Sequence, residues 1–147
     1  MRHVLVSALL IAAATAGCIN EDVTLYEVRV LGEVAVAPEF PSAGEVQLGL
    51  YFARAGEGEL AYPVDSITAR EVGPPGFVDE RFLVPYDGRE ELLVYAWLDI
   101  DGDGVLCAVG GAEEPAAIVA VDEFTDFRVE FSLLLDQPCA GAEALYP

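Results

Sequence analysis

The sequence predicts an all-β protein: a single antiparallel seven-stranded β-sandwich following an N-terminal signal peptide. Three observations carry that expectation. Short runs of period-2 alternation recur through the chain, Gly and Pro clusters interrupt them, and no stretch shows the 3.6-residue periodicity of a long helix. At 147 residues the chain supports one compact domain rather than two. A 54% hydrophobic content separates it from disordered polyelectrolytes despite a formal net charge of −19.

The elements follow in order. Residues 25–37 form the first run, with Val28, Val30, Val34 and Val36 set against Arg29 and Glu33; Gly32 interrupts it and predicts a bulge. Pro38 to Gly44 is a turn-rich connection. Residues 45–54 alternate cleanly, placing Val46, Leu48, Leu50 and Phe52 on one face, so that of Tyr51 and Phe52 only one belongs to the core. A Gly/Glu loop follows at 55–59, then a weaker strand at 65–72. Gly73-Pro74-Pro75-Gly76 breaks the chain before a strand at 77–84, which Pro85 and the Asp87-Gly88 turn end. The strongest apolar run, 91–100, contains the single tryptophan, Trp97. Strands at 116–121 and 126–135 complete the set; in the last, Phe127, Val129, Phe131 and Leu133 oppose Arg128, Glu130 and Ser132. The domain is expected over 27–136, with an irregular C-terminal tail at 137–147 held near its start by Cys139.

The N-terminus is a targeting segment. Met1-Arg2-His3 is a positive start, and Val4 to Ala14 is apolar except for Ser7, which fits a secretory segment and is too short to cross a bilayer. Two processing sites compete. Ala14-Thr15-Ala16 is an A-x-A-like site, whereas Thr15-Ala16-Gly17-Cys18 resembles the lipobox of bacterial lipoproteins. That resemblance implies a signal peptide at 1–17, cleavage before Cys18, lipidation of Cys18 and a short tether over 18–26. Thr15 departs from the usual Leu. Ile19, next after the lipidated Cys, is not the Asp associated with inner-membrane retention, so the analogy implies the outer membrane.

Cysteine arithmetic agrees. Of Cys18, Cys107 and Cys139, lipidation removes the first and leaves a pair, which in an oxidising compartment predicts a disulfide closing a 33-residue loop. Two separate buried thiols are the alternative.

Composition narrows function. The residues from Cys18 onward hold six Arg and all 26 acids, and neither His nor Lys. Such a surface repels phosphate backbones, so nucleic acid is excluded as a partner. The missing His and Lys remove Ser-His-Asp and Cys-His machinery, Schiff-base lysines and His-ligated zinc, leaving only carboxylate pairs as in glycosidases. The chain is therefore read as a non-enzyme, with a carboxylate-based hydrolase as a remote alternative.

The sharpest motif joins a buried strand to three aspartates: Trp97-Leu98-Asp99-Ile100-Asp101-Gly102-Asp103-Gly104. Three of the ten aspartates lie within five residues. Ca²⁺ takes 6–8 oxygen ligands, and carboxylates at alternate positions of a tight loop can converge on one ion. The candidate ligands are Asp99, Asp101 and Asp103, the Val105 carbonyl, and Glu113 or Glu114 if the loop folds back. Position 12 of an EF-hand count is Gly110 and flanking helices are absent, so this is not an EF-hand. The competing reading is a solvated acidic turn. Trp97, Tyr95, Tyr51 and Phe52 could line a sugar or peptide site, but packing is the simpler role.

The aromatic strand, the D-x-D-G-D-G run and the loop Gly110-Gly111-Ala112-Glu113-Glu114-Pro115 resemble a hairpin of bacterial envelope sandwiches of the transthyretin-like or carboxypeptidase-regulatory-like type. Val30-Leu31-Gly32-Glu33-Val34 and Phe82-Leu83-Val84-Pro85 fit that layout, and the resemblance spans about residues 27–135. Cys107 inside the loop departs from it. What the resemblance implies is an Ig-like or transthyretin-like module with a binding or scaffolding role and an envelope protein or glycan as partner. An accessory subunit docking on a larger envelope complex is the alternative.

Overall fold

The computed structural model describes residues 24–53, 65–85, 91–121 and 127–145. The expected signal peptide, Cys18 and most of the expected tether lie outside the described residues. Within them, eight strands form two sheets. Strands β1 (Tyr26–Val36), β4 (Gly76–Val84) and β7 (Arg128–Leu135) make a three-stranded sheet in the order β4-β1-β7. Strands β2 (Glu45–Ala53), β3 (Asp65–Glu71), β5 (Glu91–Asp99), β6 (Pro115–Ala120) and β8 (Gln137–Pro138) make a five-stranded sheet in the order β3-β2-β5-β6-β8. Each of the seven expected strands is present to within two residues at either end.

Alternation in each strand decides what is buried. Val28, Val30 and Val34 of β1, Val78, Phe82 and Val84 of β4, and Val129, Leu133 and Leu135 of β7 meet Val46, Leu48, Leu50 and Phe52 of β2 and Leu92, Val94, Ala96 and Leu98 of β5 in one core. Each fully buried Val, Leu or Phe side chain there contributes about 1.5–3 kcal/mol relative to exposure. Phe52 is the core member of its pair, and Tyr51 faces outward.

Three features differ from the sequence expectation. The sandwich is not wholly antiparallel: β1 pairs antiparallel with β4 but parallel with β7, in a register that sets Val30 beside Val129 and Val34 beside Leu133. Alternation fixes which side of a strand is buried and is indifferent to the direction of its neighbour. Second, β1 has no bulge at Gly32, and its register runs unbroken against both neighbours. Gly32 lies opposite Phe131, and a Cβ at that position would come within 2.5 Å of the Phe131 ring. The glycine makes room for an aromatic ring packed against the core. The register shift falls instead between Leu50 and Tyr51, where β2 pairs with β3.

Third, the C-terminal segment is ordered. β8 pairs with the start of β6, and a single helical turn, α1 (Ala142–Leu145), follows. This segment covers an apolar stripe on the outer face of the five-stranded sheet. There Leu93, Tyr95 and Ala116 cluster with Ala142, and Tyr51, Trp97, Ile118 and Leu145 pack around them. The Tyr95 hydroxyl donates to the Ala140 carbonyl at 3.0 Å, and the Tyr95 ring meets Tyr51 edge-on. Trp97 thus packs on an outer face, half-buried. Burial first, then the nearby Tyr51 and Glu114, push the Tyr95 pKa upward. No helix among the described residues is long and apolar enough to cross a membrane.

Candidate metal centre

β5 ends in Asp99, and residues 100–114 lead into β6. Asp99 shares the outward parity of Leu93, Tyr95 and Trp97, yet only 4% of it is exposed, because the loop folds over it. Its Oδ1 accepts the Gly102 N–H at 2.7 Å and its Oδ2 the Gly104 N–H at 3.0 Å. Gly102 and Gly104 have φ values of 76° and 73°. That left-handed conformation suits glycine, and it turns both N–H groups back toward the carboxylate.

Asp101 closes the next turn, its two oxygens accepting the N–H groups of Asp103 and Ala112 at 3.3 and 3.0 Å. Asp103 is exposed and accepts the Val105 N–H at 2.8 Å.

Glu114 binds the loop together. It is 1% exposed. Its Oε1 accepts the Ile100 N–H at 2.9 Å and its Oε2 the Cys107 N–H at 2.7 Å. Its own N–H points to Cys107 Sγ at 3.1 Å, and its carbonyl accepts the Cys139 N–H at 2.9 Å. Cys107 and Cys139 form the expected disulfide, with Cα atoms 5.4 Å apart. Both cysteines hold positive φ, 49° and 53°, a conformation uncommon outside glycine. The bridge fastens the acidic loop to the start of the C-terminal segment, and it points to an oxidising, exported setting.

One carboxylate oxygen from each of Asp99, Asp101 and Glu114 lies within 4.8 Å of the others. Ligand oxygens at about 2.4 Å from Ca²⁺ stand at most roughly 4.8 Å apart across the ion, so the cluster has the dimensions to hold a metal ion. Among the described residues, no ion pair joins any of the three to an arginine. Of the residues expected as ligands, the structure brings together Asp99, Asp101 and Glu114. The side-chain oxygens of Asp103 and Glu113 are not part of the group, and Val105, expected to offer its carbonyl, lies exposed in the same loop. Glu113 instead borders a shallow recess with Glu39, Phe40, Pro41 and Ile100. The sequence offered Glu113 and Glu114 as equals. What separates them in the structure is position: Glu114 adjoins Pro115, where β6 begins, and Glu113 lies one residue further out in the loop.

Comparison with known proteins finds no match to this chain among family models, curated proteins or solved structures.

Proposed function

We propose that the chain is an exported, lipid-anchored, non-catalytic β-sandwich of the bacterial envelope, transthyretin-like in layout, that binds Ca²⁺ at the loop between β5 and β6 and serves a binding or scaffolding role. The observation that carries this reading is the pair of buried carboxylates, Asp99 and Glu114, beside Asp101 with no arginine paired to them among the described residues. Backbone N–H groups satisfy one acceptor position on each buried oxygen. An ionised carboxylate has about four such positions, so lone pairs remain for a cation. Burying charge without an opposite charge is costly, and a divalent ion supplies that charge. Oxygen-only ligands and a loop with several exposed positions for water suit Ca²⁺ better than a transition metal.

Support for the anchor comes from Ala16-Gly17-Cys18 after the apolar segment, and support for a non-catalytic role from the absence of His and Lys after Cys18. The outer membrane follows from the lipobox analogy alone. The second reading, an accessory subunit of a larger envelope complex, is favoured by the apolar side chains exposed on the three-stranded sheet.

Calcium titration tests the central claim. Binding to the folded form alone raises stability by about 1.4 kcal/mol at ten times the dissociation constant. The melting temperature is expected to climb with millimolar Ca²⁺ and to respond far less to NaCl of matched ionic strength. Asp101→Asn is expected to weaken that difference while leaving Asp99 and Glu114 in their backbone roles. Equal responses to the two salts in the wild type would reduce the cluster to a backbone clasp. Fatty-acid labelling of wild type but not of Cys18→Ser tests the anchor separately.

A further inference from the structure

The outer face of the three-stranded sheet is unlike the rest of this acidic molecule. Three of the four described arginines, Arg29, Arg81 and Arg128, lie on it, against the carboxylates of Glu27, Glu33, Asp79 and Glu130. Arg29 grips Asp79 through two hydrogen bonds of 2.8 and 2.7 Å, Arg81 pairs with Glu27 at 2.9 Å, and Arg128 pairs with Glu130. The face is locally close to neutral on a chain of net charge −19. Phe77, Leu83 and Leu134 stand out from it at 76%, 60% and 51% exposure. Beside Phe77 lies a shallow recess of about 310 Å³, lined by Leu31, Gly32, Arg128, Glu130 and Phe131 as well as Phe77 itself. A cavity of about 150 Å³ suffices for benzene.

We infer that this face is the contact between two copies of the chain, with Phe77 of each copy seated in the recess of the other. A two-fold interface uses one patch twice and so must be complementary to itself. A projecting ring and a recess side by side on one face meet that requirement, as do arginines and carboxylates in alternation. Charge selects the same face: two copies repel over most of their surfaces, and the sheet where cations are concentrated is where they can approach. Docking is face to face rather than along the β4 edge. Arg70, reaching from β3, donates to the Arg81 carbonyl at 2.6 Å and lies over the Phe82 ring. It thereby occupies the open edge of β4, where strand addition would begin.

Three strands of about eight residues give a footprint of roughly 27 by 14 Å, which is small for a stable dimer and matches a weak, reversible one. Sedimentation equilibrium of the full exported chain, density-matched for detergent, is therefore run from about 1 μM to about 1 mM. The expected result is a monomer–dimer equilibrium that tightens as NaCl is added, because salt screens the repulsion between like-charged copies. Phe77→Glu is expected to raise the dissociation constant about 30-fold or more, as loss of a central aromatic anchor does. Leu31→Trp fills the recess, leaves Phe77 in place and is expected to act likewise. Val109→Glu, an exposed change in the loop after β5, is the control and should leave the constant unchanged. Near-UV circular dichroism establishes that each variant is folded. A monomer at every concentration, or a dimer indifferent to both Phe77→Glu and Leu31→Trp, overturns the inference.

Discussion

The two outer faces of the sandwich treat the same problem in opposite ways. On the five-stranded sheet, outward apolar residues such as Leu93, Tyr95 and Trp97 are covered by the chain's own C-terminal segment, through Ala142, Leu145 and the Tyr95 bond to Ala140. On the three-stranded sheet, Phe77, Leu83 and Leu134 stay exposed among paired charges. The first face is closed by a covalently fastened clasp, and the second is left open. Stability should therefore be sensitive to change on the first face and insensitive on the second, where association should respond instead.

The bridge that fastens the clasp is the largest lever on this contrast. Replacing Cys107 and Cys139 together by Ser, or reducing the disulfide, is expected to cost about 3–4 kcal/mol by loss of the loop constraint on the unfolded chain. The same change frees the start of the C-terminal segment. Trp97 is the sole tryptophan and packs at the covered cluster, so its emission should move to longer wavelength on reduction, before global unfolding in a denaturant series. A loss of stability with no change in Trp97 emission would separate the bridge from the clasp.

Glu114 is next. Truncation to Ala removes the acceptors for the Ile100 and Cys107 N–H groups, and buried donors left without partners cost about 1–3 kcal/mol each, less whatever water restores. A net loss of about 2–3 kcal/mol is expected in denaturant unfolding. Glu113→Ala, the exposed neighbour, should change stability by less than about 0.5 kcal/mol. Equal effects at 113 and 114 would remove Glu114 from the centre of the loop.

One substitution on each face tests the contrast directly. Leu145→Asp places a charge against the covered cluster and is expected to cost about 1–2 kcal/mol. Phe77→Glu, measured on dilute monomer, should stay within about 0.5 kcal/mol of wild type. If Phe77→Glu proves the more destabilising, the three-stranded face is a second core surface rather than an open one.

How much of this was legible in the sequence depends on what local pattern encodes. Period-2 alternation gave the buried set of each strand, because Val28, Val30 and Val34 need only the pleat to share a face. It could not give the parallel pairing of β1 with β7, since that depends on β6 and β7 belonging to different sheets, which no local pattern encodes. Gly32 was visible as an interruption, but its cause, the Phe131 ring, lies about a hundred residues away in sequence. The acidic loop was found by its density of Asp and Gly. Its membership was only partly legible: Asp99 and Asp101 converge as their spacing suggested, Asp103 turns to its own backbone, and Glu114 joins from the far end of the loop. The clasp was not legible at all. Alanine, leucine and glutamate over four residues carry too little pattern to announce a helical turn, and its position depends on an outward apolar stripe that alternation had assigned to packing without saying against what.

The smallest expected effect lies in the hydroxyl that ties the covered sheet to its clasp. Tyr95→Phe removes the bond to the Ala140 carbonyl and should cost about 1 kcal/mol at neutral pH. Its behaviour in alkali is more diagnostic. Burial and the neighbouring Tyr51 and Glu114 hold the folded pKa above the ordinary tyrosine value of 10.0, so the folded state keeps this proton where the unfolded chain has lost it. Stability that depends on the neutral phenol is complete below pH 10 and declines as pH rises from there toward the folded pKa. Wild type should therefore lose stability across that window more steeply than Tyr95→Phe, and the two unfolding curves should converge as the pH climbs. The release of Ala140 should accompany that loss, read as faster amide exchange over residues 140–145 than over the core of β1. Parallel declines in the two proteins would mean that the clasp is held by Ala142 and Leu145 alone, and that the covered face differs from the open one by apolar contact and the disulfide without help from this hydrogen bond.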